Sequence, residues 1–118
     1  MRVLIREDEL LLQMQMQLLV EDLGFEVVGP HASVAPAMAD VAADNVDCAL
    51  LDLNLRGETS LAVADALAAK SIPFALTSGS NASDLKPRFA GRMVFVKPVD
   101  ENQVKRFLAE VARARVAP

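Results

Sequence analysis

Apolar residues along this chain follow two alternating spacings, one typical of short buried strands and the other typical of amphipathic helices. Short apolar runs predict five strands, at residues 3–5, 25–29, 48–52, 73–77 and 93–96. The stretches between the runs carry apolar residues every three or four positions, and the clearest row comprises Leu12, Met16, Leu19, Val20 and Leu23. Helices are therefore predicted at residues 9–23, 33–44 and 60–70, and from Asp100 onward.

Strands that alternate with helices predict an α/β fold, here a doubly wound sheet of five parallel strands with helices on both faces. Only residues 78–92 separate the fourth and fifth strands, and Pro87 lies among them. Because a proline disrupts the interior of a helix, we expect the fourth helix of this alternation to be a short helix or a mobile loop from Asn81 to Ala90.

Polar side chains stand where four of the predicted strands end. Glu7 and Asp8 follow the first strand, Asp52 ends the third, Thr77 ends the fourth and Lys97 follows the fifth. Each of them alone has an ordinary explanation as a helix-dipole partner, a turn residue or a surface charge. The carboxyl ends of parallel strands share one edge of the sheet, where such folds bind their ligands. We therefore expect the five side chains to converge on a site.

Composition narrows the classes of function. The chain has 118 residues, 53% of them hydrophobic, a net charge of −4 and a sequence pI of about 4.9. This size predicts one domain over residues 1–118, and the acidic balance disfavours non-specific binding of nucleic acid. The chain shows neither a signal peptide nor an apolar run of membrane-spanning length, so no membrane association is expected. The lone Cys48 suits a reducing cytoplasm.

The charges at the strand ends suit phosphoryl chemistry. Carboxylates crowded together repel one another, and a divalent cation such as Mg²⁺ relieves that repulsion. Lys97 adds a positive charge and Thr77 a hydroxyl donor, both of which complement a phosphoryl group in transfer. Asp52 can then act as the nucleophile and become an aspartyl-phosphate. A glycine-rich phosphate loop is missing from the sequence, so a bound nucleotide is not supported.

Four motifs together resemble the receiver domain of bacterial two-component response regulators over essentially the whole chain. They are residues 3–9 (Val-Leu-Ile-Arg-Glu-Asp-Glu), 51–54 (Leu-Asp-Leu-Asn), 76–78 (Leu-Thr-Ser) and 97–98 (Lys-Pro). The resemblance implies a flavodoxin-like sheet with strand order 2-1-3-4-5.

The same resemblance implies a role for each site residue. Asp52 is expected to accept a phosphoryl group from a histidine kinase, with Thr77 as the switch hydroxyl and Lys97 contacting the phosphate. The ligands implied for Mg²⁺ are Glu7, Asp8, Asp52 and the backbone carbonyl of Asn54.

Two further segments resemble a subgroup of single-domain receivers known as the "FAT GUY" group. These are residues 54–60 (Asn-Leu-Arg-Gly-Glu-Thr-Ser) and 73–79 (Pro-Phe-Ala-Leu-Thr-Ser-Gly). The likeness implies a partner kinase of the HWE/HisKA2 type.

The sequence departs from the receiver pattern at two positions. Val94 stands where many receivers carry an aromatic residue that moves with the switch hydroxyl, and Phe95 comes one residue later. Arg6 stands where an aliphatic residue is usual. We expect a solvent-facing arginine there, the alternative being a partner of the acidic cluster. His31 is expected in a surface loop.

The first helix carries a second apolar row, Leu11, Met14 and Leu18, in addition to its core row. These residues are either ordinary exposed apolar side chains or a docking face for the helices of a histidine kinase, as the resemblance implies.

These observations favour a stand-alone receiver that signals through a protein partner or acts as a phosphate sink. Such a protein is not a conventional enzyme, although it takes part in its own Mg²⁺-dependent phosphorylation and dephosphorylation. The alternative is an adaptor that binds a kinase or regulator without being phosphorylated. A flavodoxin-like enzyme or flavin carrier would need a phosphate loop and aromatic residues that the sequence does not provide.

Overall fold

The computed structural model describes residues 1–53, 60–79 and 92–116. For residue 116 it describes the backbone alone. The short helix or mobile loop expected from Asn81 to Ala90 lies outside the described residues, and so does the carbonyl of Asn54.

Five strands and four helices alternate along the described part of the chain. The strands are β1 (Arg2–Arg6), β2 (Glu26–His31), β3 (Cys48–Asp52), β4 (Phe74–Ser78) and β5 (Met93–Val96). The helices are α1 (Leu10–Asp22), α2 (Val34–Ala42), α3 (Leu61–Ala69) and α4 (Glu101–Val116). All neighbouring strands pair in parallel, in the order β2-β1-β3-β4-β5. The predicted sheet, its strand order and its flavodoxin-like class are confirmed.

Each face of the sheet is covered by its own apolar core. On one face, residues of α1 and α4 such as Met16 and Leu108 pack with Leu50 of β3. On the other face, residues of α2 and α3 such as Leu67 pack with Leu51. All five residues of β3 are buried because the strand lies in the middle of the sheet and its side chains alternate between both cores. Asp52 ends this buried strand.

The end of α1 and the start of α4 follow the sequence signals. The chain leaves α1 through Gly24, whose φ of +84° is a left-handed value that glycine adopts without strain. At the start of α4, an Asp100 carboxylate oxygen accepts the N–H of Asn102 at 2.8 Å, as expected of an N-cap. None of the helices in the described residues is long and apolar enough to cross a membrane.

The structure corrects the placement of two side chains. Arg6 is only 1% exposed, so the expectation of a solvent-facing arginine is wrong. It is the last residue of β1, which lies between β2 and β3, and both neighbouring strands still flank it. His31 is the last residue of β2 rather than part of a loop, and its half-buried ring places Nε2 2.5 Å from Asp40 Oδ2.

Candidate functional site

The carboxyl ends of β1, β3, β4 and β5 bring the side chains of the predicted site to one edge of the sheet. Glu7 and Asp8 follow β1 directly, and Asp52 is the last residue of β3. Thr77 lies opposite Asp52 in the register of β3 and β4, and Lys97 follows β5. Parallel strand direction places these five residues, which lie up to 90 positions apart, on the same rim.

Three carboxylates form the centre of the site. Ligand oxygens of Glu7, Asp8 and Asp52 all lie within 4.8 Å of one another. Glu7 and Asp52 are each 2% exposed, whereas Asp8 is open to solvent. Two buried negative charges at this distance are costly unless a cation or a proton compensates them.

Lys97 provides one positive charge between the two buried carboxylates. Its Nζ lies 3.0 Å from Asp52 Oδ2, to which it donates a hydrogen bond, and 3.2 Å from Glu7 Oε1. Burial lowers the pKa of Lys97, but the hydrogen bond to Asp52 and the charges of Asp52 and Glu7 outweigh that effect and raise it. The ammonium therefore stays charged in this half-buried position.

The environment of Glu7 shows that Lys97 alone does not compensate the buried carboxylates. Burial, a hydrogen bond with Asp52 and the charge of Asp52 raise the pKa of Glu7 to about 7. The hydrogen bond from the backbone N–H of Glu9 and the charge of Lys97 act in the opposite direction but are outweighed. Oε2 accepts that N–H at 3.1 Å, while the buried Oε1 accepts no hydrogen bond from the described residues. The Lys97 ammonium forms an ion pair with Oε1 at 3.2 Å. A buried oxygen that lacks a donor, in a cluster with surplus negative charge, fits a divalent cation held by Glu7, Asp8 and Asp52.

Backbone hydrogen bonds hold the acidic pair in place. The N–H of Glu7 donates to the carbonyl of His31 in β2 at 3.0 Å. The carbonyl of Glu7 accepts the side-chain amide of Gln13 from α1. The two peptides that flank Glu7 are therefore anchored, the one before it to a strand and the one after it to a helix. Sequence reasoning missed Gln13, because a glutamine in an amphipathic helix gives no sign that it reaches back to the preceding loop.

Similar hydrogen bonds hold the other strand ends. The N–H of Leu53 donates to the carbonyl of Thr77 at 2.9 Å, and the N–H of Lys97 donates to the carbonyl of Ser78 at 2.8 Å. These bonds tie the residues after β3 and β5 to the end of β4. Thr77 is 3% exposed and lies opposite Asp52 in the register of the two strands.

The position of the missing aromatic residue is structurally defined. Val94 is half-buried against the core beside α2 and α3. Phe95 is buried in the opposite core, where its ring meets Phe107 edge to face at 6.3 Å between centroids. Because neighbouring residues of a strand point to opposite faces, Phe95 cannot replace an aromatic side chain at position 94.

Comparisons with known proteins point to one group of structures. The chain is similar to SdrG from Sphingomonas melonis Fr1, with 40% identity and a TM-score of 0.80 over 94% of this chain and 95% of that one. The BeF3-activated conformation of SdrG from Pseudomonas melonis Fr1 matches with 40% identity and a TM-score of 0.77 over 92% of each chain. The response regulator PhyR from Brucella abortus matches with 27% identity and a TM-score of 0.80, over 93% of this chain and 46% of PhyR. No protein-family model and no curated protein matches the chain.

Proposed function

The chain belongs to the receiver domains of response regulators, and from this premise we propose that it is a stand-alone phosphoacceptor of a two-component phosphorelay. The phosphoryl group comes from a histidine kinase and is accepted by Asp52. The observation that supports this most is the convergence on Asp52 of Lys97, at 3.0 Å, and of the carboxylates of Glu7 and Asp8.

The site residues suit an in-line transfer from a phosphohistidine. A carboxylate oxygen of Asp52 attacks phosphorus, the bond between phosphorus and the imidazole nitrogen breaks, and its electron pair returns to the imidazole. Lys97 and the hydroxyl of Thr77 stabilise the negative charge on the phosphoryl oxygens. Glu7, Asp8 and Asp52, with the carbonyl of Asn54, would hold Mg²⁺, whose charge would offset that of the carboxylates and of the phosphoryl group in transfer.

We propose no turnover of a separate substrate. The product of the transfer is the phosphorylated chain itself, and hydrolysis of the aspartyl-phosphate restores the starting state. The chain is therefore a switch, or a sink for phosphate, that takes part in its own phosphorylation and dephosphorylation without being a conventional enzyme. Its output then passes to a partner protein.

The proposed partner surface for the kinase is the outer row of α1. Leu11, Met14 and Leu18 are 75%, 52% and 60% exposed, which is unusual for large apolar side chains in one row. A cleft of about 490 Å³ runs from Leu11 to Lys97 and Pro98, so this row continues to the phosphoacceptor site. A helical bundle that docks there would bring its phosphohistidine to Asp52. The likeness of residues 54–60 and 73–79 to the "FAT GUY" group supports a kinase of the HWE/HisKA2 type.

The decisive experiment is transfer of labelled phosphate from a phosphorylated HWE/HisKA2-type kinase. We expect Mg²⁺-dependent labelling of the chain that is lost in Asp52→Asn, because the amide cannot act as the nucleophile. Asp22→Asn, a change of an exposed aspartate at the end of α1, is the matched control and should be labelled like the parent. Labelling that persists in Asp52→Asn or without divalent cation would refute the proposal.

A second candidate function is that of an adaptor that binds the kinase without being phosphorylated. Val94 favours it, because the residue lacks the aromatic ring that usually couples the site to its surroundings, and Phe95 faces the other core. Kinase binding that is equally tight for the parent and Asp52→Asn, together with no labelling of the parent, would support the adaptor.

A further inference from the structure

Ser60 precedes α3 and is completely buried, yet its hydroxyl does not cap that helix. A serine at this position ordinarily accepts a backbone N–H from the first turn of its own helix. Here the hydroxyl instead donates to the backbone carbonyl of Asp52 at 2.5 Å, eight residues earlier in the chain. The side chain thus connects the start of α3 to the peptide of the phosphoacceptor.

The geometry of the sheet explains why that carbonyl needs a donor. Along β3, the N–H of Leu53 points to β4, so the carbonyl of Asp52 points the other way, towards β1. The pairing of β1 with β3 ends at Arg6 and Leu51. Asp52 lies one residue beyond the last of these pairs. A buried carbonyl without a donor is costly, and the hydroxyl of Ser60 meets this need.

We propose that Ser60 is a positioning residue for the phosphoacceptor, an inference that rests on the proposed function. Its hydrogen bond fixes the peptide between Asp52 and Leu53, whose N–H is held from the other side by Thr77. The backbone on which the Asp52 carboxylate stands is therefore held from both directions. This fixed backbone keeps the carboxylate aimed at Lys97 and at the incoming phosphorus.

The positioning role of Ser60 predicts slower transfer of the phosphoryl group to Asp52 rather than weaker binding of the phosphodonor. Without the hydroxyl, the peptide after Asp52 can rotate, and the carboxylate spends less time in the geometry of attack. Ser60 is buried and does not face a phosphodonor, so the donor concentration at half-maximal rate should not change. A serine with a merely structural role would lower stability without this selective loss of maximal rate.

The test uses the full chain, Mg²⁺ and phosphoramidate, a small phosphodonor that needs no kinase. The maximal rate of Asp52 phosphorylation and the half-saturating donor concentration are measured for Ser60→Ala, Ser60→Cys and Ser60→Thr. Ser60→Cys fills the same space with a weak donor, and Ser60→Thr keeps the hydroxyl. Ser33→Ala, the same change at the residue before α2, is the control because Ser33 also makes no side-chain cap. Thermal unfolding is followed for every variant.

We expect the maximal rate to fall about tenfold in Ser60→Ala and Ser60→Cys, with an unchanged half-saturating concentration. Ser60→Thr should recover most of the rate, and Ser33→Ala should match the parent. A folded Ser60→Ala with the parental rate would overturn the positioning role alone. Unfolding of both Ser60→Ala and Ser60→Cys would also overturn it, because the hydroxyl would then hold the fold. A parent that is not labelled on Asp52 would overturn the proposed function and this inference with it.

Discussion

Asp52 is a buried carboxylate with charged neighbours of both signs. Lys97 stabilises its negative charge through a hydrogen bond of 3.0 Å, while Glu7 shares the same buried pocket and repels it. One ammonium cannot compensate three carboxylates, because Asp8 adds a further charge at the rim. Taken together, Lys97 and the three carboxylates therefore carry surplus negative charge in the absence of metal, which is the electrostatic basis for binding a divalent cation.

Glu7 makes the stability of the metal-free protein depend on pH near neutrality. Burial and Asp52 raise its pKa from 4.5 to about 7, so the folded chain binds a proton that the unfolded chain has already released. The resulting contribution to stability is present at low pH and is lost as the pH rises through about 7. We expect the free energy of unfolding to fall between about pH 4.5 and 7 and to level off above that, by at most about 1.4 kcal/mol per pH unit from this group.

Urea unfolding in a metal chelator, at several pH values, measures this dependence. Glu7→Gln should remove this part of the slope, whereas Glu9→Gln, a change of an exposed neighbour, should keep it. Addition of Mg²⁺ near pH 7 should release protons, which calorimetry in two buffers detects. An identical slope in Glu7→Gln and the parent would show that another group is responsible.

At the scale of elements, α1 joins the proposed docking surface to the acidic cluster of Glu7, Asp8 and Asp52. Its outer row is exposed, its inner row packs on the sheet, and Gln13 donates from it to the carbonyl of Glu7. Gln15 also donates to Glu101 at 3.0 Å, which ties α1 to the start of α4. The helix is therefore a fixed platform beside the site rather than a loosely attached one.

Charging the outer row of α1 tests the docking surface. Met14 is 52% exposed, so Met14→Glu should change the free energy of unfolding by less than about 0.5 kcal/mol. We expect it to slow transfer from the kinase at least tenfold, since a buried unpaired charge would oppose the apolar interface. Phosphorylation by phosphoramidate should not change.

Met93→Glu provides a matched control for this experiment. Met93 is 46% exposed and lies on β5, away from the outer row of α1. Transfer from the kinase should be unaffected by this variant. Equal rates for Met14→Glu and the parent would rule out α1 as the docking surface.

The positions of the strands and helices were predictable from the sequence, because they depend on local patterns. Observed strand and helix ends differ from the predicted ones by no more than two residues, because apolar periodicity and signals such as Gly24 act locally. The burial of Arg6 was not predictable, since it depends on neighbouring strands from elsewhere in the chain. Ser60 has the sequence signature of a helix cap, and only the end of the β1–β3 pairing redirects its hydroxyl to Asp52.

At the scale of the whole molecule, a network of charges holds the edge of the sheet opposite the site. Asp47 lies just before β3 and pairs with Arg2 at 3.3 Å and with Arg115 of α4 at 3.2 Å. The backbone N–H of Arg2 also donates to Asp47 at 2.7 Å. One carboxylate thus joins the starts of β1 and β3 to the last turn of α4.

The network predicts a loss of stability in acid that is independent of the phosphoacceptor site. Burial raises the pKa of Asp47, but hydrogen bonds from Arg2 and the charges of Arg115 and Arg2 outweigh it and lower that pKa. The stabilisation is therefore present above the pKa of an unfolded aspartate and is lost as the pH falls through the lowered value. Asp47→Asn should lower the free energy of unfolding by about 1 kcal/mol at pH 7, allowing for solvent screening. The variant should also lose less of its remaining stability than the parent as the pH falls.

Urea unfolding between pH 7 and 3 measures this effect, with Asp44→Asn as the control. Asp44 pairs with Lys70 at 2.6 Å but is 80% exposed, so its loss should not change stability measurably. Both variants should be phosphorylated at the parental rate, because both positions lie at the edge of the sheet opposite Asp52. An Asp47→Asn protein as stable as Asp44→Asn would show that the three-way contact of β1, β3 and α4 rests on apolar packing alone.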